Sequence, residues 1–172
     1  MQIVGYIESH ASHTGPKGNP MKVSDILRLK GSTLYTTTPL APLAEAVKTM
    51  ADHDLGSILV MDHGDLVGIL TFREVILALN GHGGTLGKAI VLSAMNDQPI
   101  TCSPDTELDE VRRMMIERHA RYLPVLNNRD LMGVVSFYDV AKAVVDSQNF
   151  ENQMLKAYIR DWPSEEEGAK TN

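Results

Sequence analysis

Gly133-Val134-Val135-Ser136-Phe137-Tyr138-Asp139 reads as the end of an apolar strand that runs straight into a helix. Ser136 stands at the join and Asp139 three residues later, the spacing of a hydroxyl and a carboxylate at a helix start. A near copy, Gly68-Ile69-Leu70-Thr71-Phe72-Arg73-Glu74, lies 65 positions earlier. Extended at that offset without a gap, residues 36–79 and 101–144 share 12 identities in 44 positions, which establishes an internal duplication. A duplicated join predicts two equivalent sites.

Working outward, each copy carries the same order of elements. In the first, Leu34–Thr37 reads as a strand and Pro42–Asp52 as a helix with Leu43, Ala46, Val47 and Met50 on one face. Ser57–Met61 and Leu66–Leu70 form a hairpin around Asp62-His63-Gly64-Asp65, and Phe72–Leu79 closes the unit. In the second, Pro99–Cys102 is the strand and Glu107–Arg118 the helix. Tyr122–Leu126 and Leu131–Val135 form its hairpin, and Phe137–Asp146 is its closing helix. Short helices lead in at Val23–Leu27 and Ile90–Met95. Units of about 60 residues are marginal alone. The pattern therefore predicts an α+β protein: two pseudo-twofold-related β-α-β-β-α units, 21–83 and 84–146, packed sheet to sheet. Residues 1–20 read as a flexible leader, with Met21 an alternative start, 147–163 as a separate C-terminal helix, and 164–172 as a disordered tail.

Composition bounds the function. The 172 residues carry a net charge of −6, which disfavours nucleic-acid and anionic-membrane partners. No apolar run approaches the roughly 20 residues of a membrane span, and the N-terminus lacks the apolar core of a signal peptide. One cysteine, Cys102, allows no internal disulfide, so a cytoplasmic setting is expected. His10 and His13, like His53, His63, His82 and His119, form no zinc pattern, and no nucleophile elbow, phosphate loop or GxGxxG is present. A non-catalytic protein without a metal or catalytic cofactor is expected.

The joins allow two readings. A helix N-terminus offers free N–H groups and a positive dipole end to an anion, and a carboxylate one turn in can accept hydrogen bonds from two ribose hydroxyls. The same residues also make a capping box that satisfies the helix itself.

The pattern Gly-h-h-Thr/Ser-x-x-Asp, closing each of two tandem β-α-β-β-α units, resembles the CBS domain, and the pair resembles a Bateman module. Pro99-Ile100-Thr101-Cys102-Ser103-Pro104 and Arg121-Tyr122-Leu123-Pro124-Val125 belong to the resemblance, which covers about residues 21–146. Leu155–Ile159 is similar to the tail of stand-alone two-CBS proteins. The resemblance implies regulation by an adenosine-containing ligand (AMP, ADP, ATP, NAD or S-adenosylmethionine) held between the units. It also implies a homodimer of modules and an unknown regulated partner. By the same resemblance Asp139 holds the ribose and Ser136 the phosphate, with Thr101 beside the adenosine. Tyr122, Leu123, Pro124 and Val125 line the base pocket, and Arg121 and Tyr138 complete this site. The first unit contributes Thr36, Ser57, Thr71, Arg73 and Glu74. There Glu74 replaces the Asp and Leu59 stands where Pro124 stands, so the Asp139 site is expected to be the functional one. The rival expectation is a dimeric scaffold whose joins are only caps.

Overall fold

The computed structural model describes residues 20–31 and 33–160. Most of the leader, with His10 and His13, lies outside these residues, as do Trp162, Pro163 and the tail expected over 164–172.

In the first repeat, α1 (Val23–Lys30) leads to β1 (Thr36–Thr37), α2 (Leu43–Asp52), β2 (Ser57–Asp62), β3 (Asp65–Thr71) and α3 (Phe72–Gly81). In the second, a 3₁₀ turn (Val91–Ser93) leads to α4 (Leu108–Glu117), β4 (Tyr122–Asn127), β5 (Asp130–Ser136) and α5 (Phe137–Arg160). β1 runs parallel to β2, and β2 and β4 pair antiparallel with β3 and β5. The two hairpins share one register, with Ser57 opposite Thr71 and Tyr122 opposite Ser136. Each also carries an irregularity at the same place, between Val60 and Met61 and between Val125 and Leu126. The loop His63-Gly64 takes positive φ at both residues (48° and 91°), the geometry whose twist matches a two-residue hairpin.

Two elements differ from the sequence expectation. Pro99–Cys102 is not a strand; a single parallel bridge joins Cys102 to Val125. Pro99 has no N–H to donate, and the turn closed by Thr106 N–H on the Ser103 carbonyl (3.1 Å) ends the extended run. The closing helix and the C-terminal helix are one element, α5, of 24 residues. The stretch Asp146-Ser147-Gln148-Asn149 has weak helix formers, but no Gly or Pro breaks it.

The packing bodies also cut across the repeat boundaries. Val23 and Ile26 of α1 sit in a core with Leu108, Val111, Met115, Leu123, Val125 and Val140, all from the second repeat. Val91, from the second lead-in, sits in the core of Leu43, Met50, Ile58, Val60 and Leu70. Each repeat thus lends its lead-in to the other. A buried Val or Ile contributes about 1.5–3 kcal/mol, so the exchange ties the two units together strongly. It is also symmetric in detail. Leu108 N–H bonds the Met21 carbonyl (2.9 Å) as Leu43 N–H bonds that of Ala89 (2.8 Å). Val23 N–H bonds Thr106 O as Val91 N–H bonds Ala41 O, both at 3.0 Å. Ser24 N–H bonds Pro104 O as Leu92 N–H bonds Pro39 O, both at 2.9 Å. The first pair starts the long helices α4 and α2 with backbone from the opposite repeat; the other two hold the lead-ins on the carbonyls just before those helices.

Candidate functional site

At the join of β5 and α5, Ser136 N–H and Ser136 Oγ each donate to Asp139 Oδ2 at 2.7 Å. Asp139 N–H returns a bond to Ser136 Oγ at 3.1 Å. This is a complete capping box. At the first join, Thr71 N–H donates to Glu74 Oε2 at 3.1 Å and Thr71 Oγ1 donates to the same oxygen. Arg73 N–H donates to Thr71 Oγ1 at 3.2 Å. The carboxylates differ in their cations. Glu74 is buried and bonded by Arg73 Nη1 (3.2 Å), its own chain neighbour. Asp139 is bonded by Lys30 Nζ at 2.7 Å, from the end of α1, 109 positions away. Lys30 Nζ also donates to the Val134 carbonyl at 3.2 Å. Lys30 was not among the residues the sequence singled out. Its local signal is that of any cation in a helix's last turn, where it complements the dipole.

A cleft of about 160 Å³ opens beside this ion pair. Lys30, Gly31 and Tyr35 cover it, β2 supplies Ser57 and Leu59, and β5 supplies Gly133 and Val134. Both repeats therefore build it. Gly133 leaves room for α1, since a Cβ there would stand 2.6 Å from Leu27 Cδ2. Thr36 lies at its edge, exposed and paired in register with Leu59.

The residues expected to share the Asp139 site divide in space. Leu123 and Val125 are fully buried in the core, and Pro124 is buried with them, because β4 is covered on both faces. They do not line this cleft. Tyr122 turns toward the first repeat, its phenol against Gly56, so close that a Cβ there would lie 1.7 Å from the hydroxyl. Thr101 faces a separate open depression of about 400 Å³, shared with Cys102, Ser103, Thr106 and Glu110. Arg121 is exposed, and its carbonyl, not its guanidinium, reaches the join by accepting from Phe137 N–H (2.9 Å). Tyr138 and Arg73 point outward. Ser57, expected with the first unit, lines the cleft beside Gly133 and Val134 instead. The pseudo-twofold exchange is the physical reason: each β2-type strand faces the other repeat's closing hairpin.

Elsewhere, burial pushes the Cys102 thiol up to about 11, so it is protonated at neutral pH. Arg129 Nε and Nη2 hold both carboxylate oxygens of Asp65, at 3.0 and 2.5 Å, tying the two hairpin turns together. Among the described residues no group of three or more His, Cys, Asp or Glu side chains could hold a metal ion. No helix among them is long and apolar enough to cross a membrane.

An α-β-β-α unit closed by a hydroxyl–carboxylate cap, repeated about a pseudo-twofold axis with exchanged lead-ins, defines a paired-repeat module with a cleft between its halves. The model of the CBS domain matches residues 23–81 and again 89–146, and the chain belongs to that family. It is 30% identical over 148 residues to the mitochondrial CBS domain-containing protein CBSX3 of Arabidopsis thaliana, covering 80% of this chain and 71% of the relative. The crystal structure of a CBS-domain-containing protein of Agrobacterium tumefaciens superposes with a TM-score of 0.68. Identity there is 31%, over 72% of this chain and 98% of that one. The CBS domain pair of protein MJ0100, solved in complex with 5′-methylthioadenosine and S-adenosyl-L-methionine, superposes with a TM-score of 0.67. It is 25% identical over 75% of this chain and 99% of that one.

Proposed function

We propose that this protein is a non-catalytic regulatory module that binds an adenosine-containing nucleotide, AMP, ADP, ATP or NAD, in the cleft beside Asp139. The observation that carries this reading is the placement of the Ser136–Asp139 cap next to a cleft built by both repeats. Asp139 presents a carboxylate to a ribose diol. Ser136 and the first N–H groups of α5 present donors to a phosphate. Tyr35 and Leu59 supply apolar surface for a base. The adenosine compounds bound to the CBS pair of MJ0100 support the ligand class. A ligand touching β2, α1 and β5 together would favour one angle between the repeats, and that shift in population is the signal.

The signal needs a reader. Phe72, Ile76 and Leu77 of α3 and Phe137 of α5 leave apolar side chains exposed, and we assign this face to a homodimer of modules or to the regulated protein.

A second reading has its own support: both caps are internally satisfied, as a scaffold with helix starts alone would require. Thermal unfolding with millimolar AMP, ATP, NAD and S-adenosylmethionine separates the two. A ligand at 100 times its Kd adds about 2.7 kcal/mol of stability. The nucleotide reading expects such a rise with at least one of them, lost in Asp139→Ala. No rise with any of them leaves the scaffold.

A further inference from the structure

We propose that Lys30 sets the charge preference of the Asp139 cleft, so that it takes phosphate-bearing nucleotides in preference to uncharged or cationic adenosine compounds. This rests on reading the cleft as a nucleoside site and goes on to name the residue that chooses among nucleosides.

Among the residues lining the cleft, Lys30 is the one that carries a charge. Its ammonium is held between the Val134 carbonyl and Asp139, and its side chain is 37% exposed, so it is partly desolvated. Asp139 Oδ2 already accepts three bonds, from Ser136 N–H, Ser136 Oγ and Lys30 Nζ. A ribose diol brings two more donors to the same carboxylate. The Ser136 donors are tethered three residues away in the same turn. Lys30 reaches Asp139 through a long, flexible side chain, so it is the donor free to turn toward a phosphate while the diol takes the carboxylate. Turned from Asp139, the exposed ammonium is best satisfied by another anion. A phosphate over the N-terminus of α5 supplies it. An uncharged nucleoside offers nothing in exchange, and the sulfonium of S-adenosylmethionine adds a second positive charge.

The preference belongs to one cleft. The lead-ins correspond at an offset of 68, since Leu27 meets Gly133 as Met95 meets Gly68. On that offset Lys30 corresponds to Gln98, which is exposed and uncharged.

Calorimetric titration of the whole chain with AMP, adenosine and S-adenosylmethionine tests this, on wild type, Lys30→Gln and Lys30→Arg. Wild type is expected to bind AMP at least tenfold more tightly than adenosine and to bind S-adenosylmethionine more weakly than AMP. Lys30→Gln brings the AMP-to-adenosine ratio below threefold, mainly by weakening AMP, and Lys30→Arg keeps most of it. Circular dichroism confirms the fold of each variant, and Lys30→Met replaces Lys30→Gln if the latter does not fold. A wild-type ratio near one, or a ratio unchanged in the neutral variant, overturns the role of Lys30 alone. A wild type that binds none of the three overturns the nucleotide reading itself, before any variant is compared.

Discussion

Replacing Asp139 with alanine tests the join independently of any ligand. The substitution removes the acceptor of three bonds, two from Ser136 and one from Lys30, each at 2.7 Å. Loss of an N-terminal cap costs about 0.5–2 kcal/mol. The ion pair adds less than its distance implies, because Lys30 is 37% exposed and solvent screens it; pairs of that kind contribute about 0.2–1 kcal/mol. Asp139→Ala is therefore expected to cost about 2 kcal/mol in urea unfolding followed by far-UV circular dichroism. At about 2–4 °C per kcal/mol for a domain of this size, Tm falls by roughly 4–8 °C. Lys30→Ala removes the pair and the exposed bond to the Val134 carbonyl and should cost about 1 kcal/mol. Because the two side chains touch, the double variant should cost within about 0.5 kcal/mol of Asp139→Ala by itself. An Asp139→Ala protein as stable as wild type, or a Lys30→Ala cost larger than that of Asp139→Ala, would refute the assigned hydrogen bonds. The result also sets the baseline for ligand assays, since each variant's response must be read against its own lowered Tm.

Three further outcomes follow from the packing. Gly68→Ala should destabilise more than Gly133→Ala: a Cβ at Gly68 meets the Asn96 carbonyl at 2.9 Å as well as Met95 Sδ, and backbone yields less than the Leu27 methyl opposite Gly133. Overpacking of this kind costs about 1–3 kcal/mol, so chemical denaturation of the two variants decides the order. Gly56→Ala forces the Tyr122 phenol to move, and Gly56→Ala/Tyr122→Ser should recover part of the lost stability; no recovery would mean the clash lies elsewhere. For Cys102, the native thiol keeps its proton to about pH 11 whereas an unfolded thiol releases it near pH 9.0. Unfolding therefore sheds a proton between those values, and stability is level below pH 9 and falls as pH rises toward 11. A shift of about two units bounds the loss at roughly 3 kcal/mol, measured as the difference between wild type and Cys102→Ala, because lysines and tyrosines titrate in the same range.

The duplication, both hairpins, the long helices and the two caps were legible because each is local. Apolar spacing along α2 and α4, and the turn residues between paired runs, fix these elements without reference to the other repeat. The first lead-in was legible as a helix, the second is a 3₁₀ turn where a short helix over Ile90–Met95 was expected, and neither was legible as exchanged. The spacing of Val23, Ile26 and Leu27 says that one face is covered; it does not say which core covers it. The site suffered from the same gap. A strand buried on both faces, such as β4, presents no solvent-facing alternation, so Leu123 and Val125 read equally well as lining or as core. Lys30 illustrates the limit most plainly. Its partner is 109 positions away, and only the crossing of α1 onto the second repeat brings the two together.

The two halves have kept their backbone relation and let their side chains diverge, and the divergence gathers at the clefts. Matched hydrogen bonds at 3.0 and 3.0 Å and at 2.9 and 2.9 Å hold the lead-ins on either side of the axis. Their preservation needs no ligand, because each pair holds a lead-in on the opposite repeat. At the cleft-facing positions the partners differ in ways that change chemistry. Small Ser57 stands where the other repeat has Tyr122, Leu59 where it has Pro124, Lys30 where it has Gln98, and Asp139 where it has Glu74. Selection for helix capping alone would treat both joins alike, since Thr71–Glu74 and Ser136–Asp139 cap equally well. The cap accounts for the hydroxyl and the carboxylate but not for a small residue and a cation brought from the opposite repeat to Asp139, where Glu74 has only its chain neighbour Arg73. On the nucleotide reading proposed above, those two features supply room beside the ribose and a charge for the phosphate.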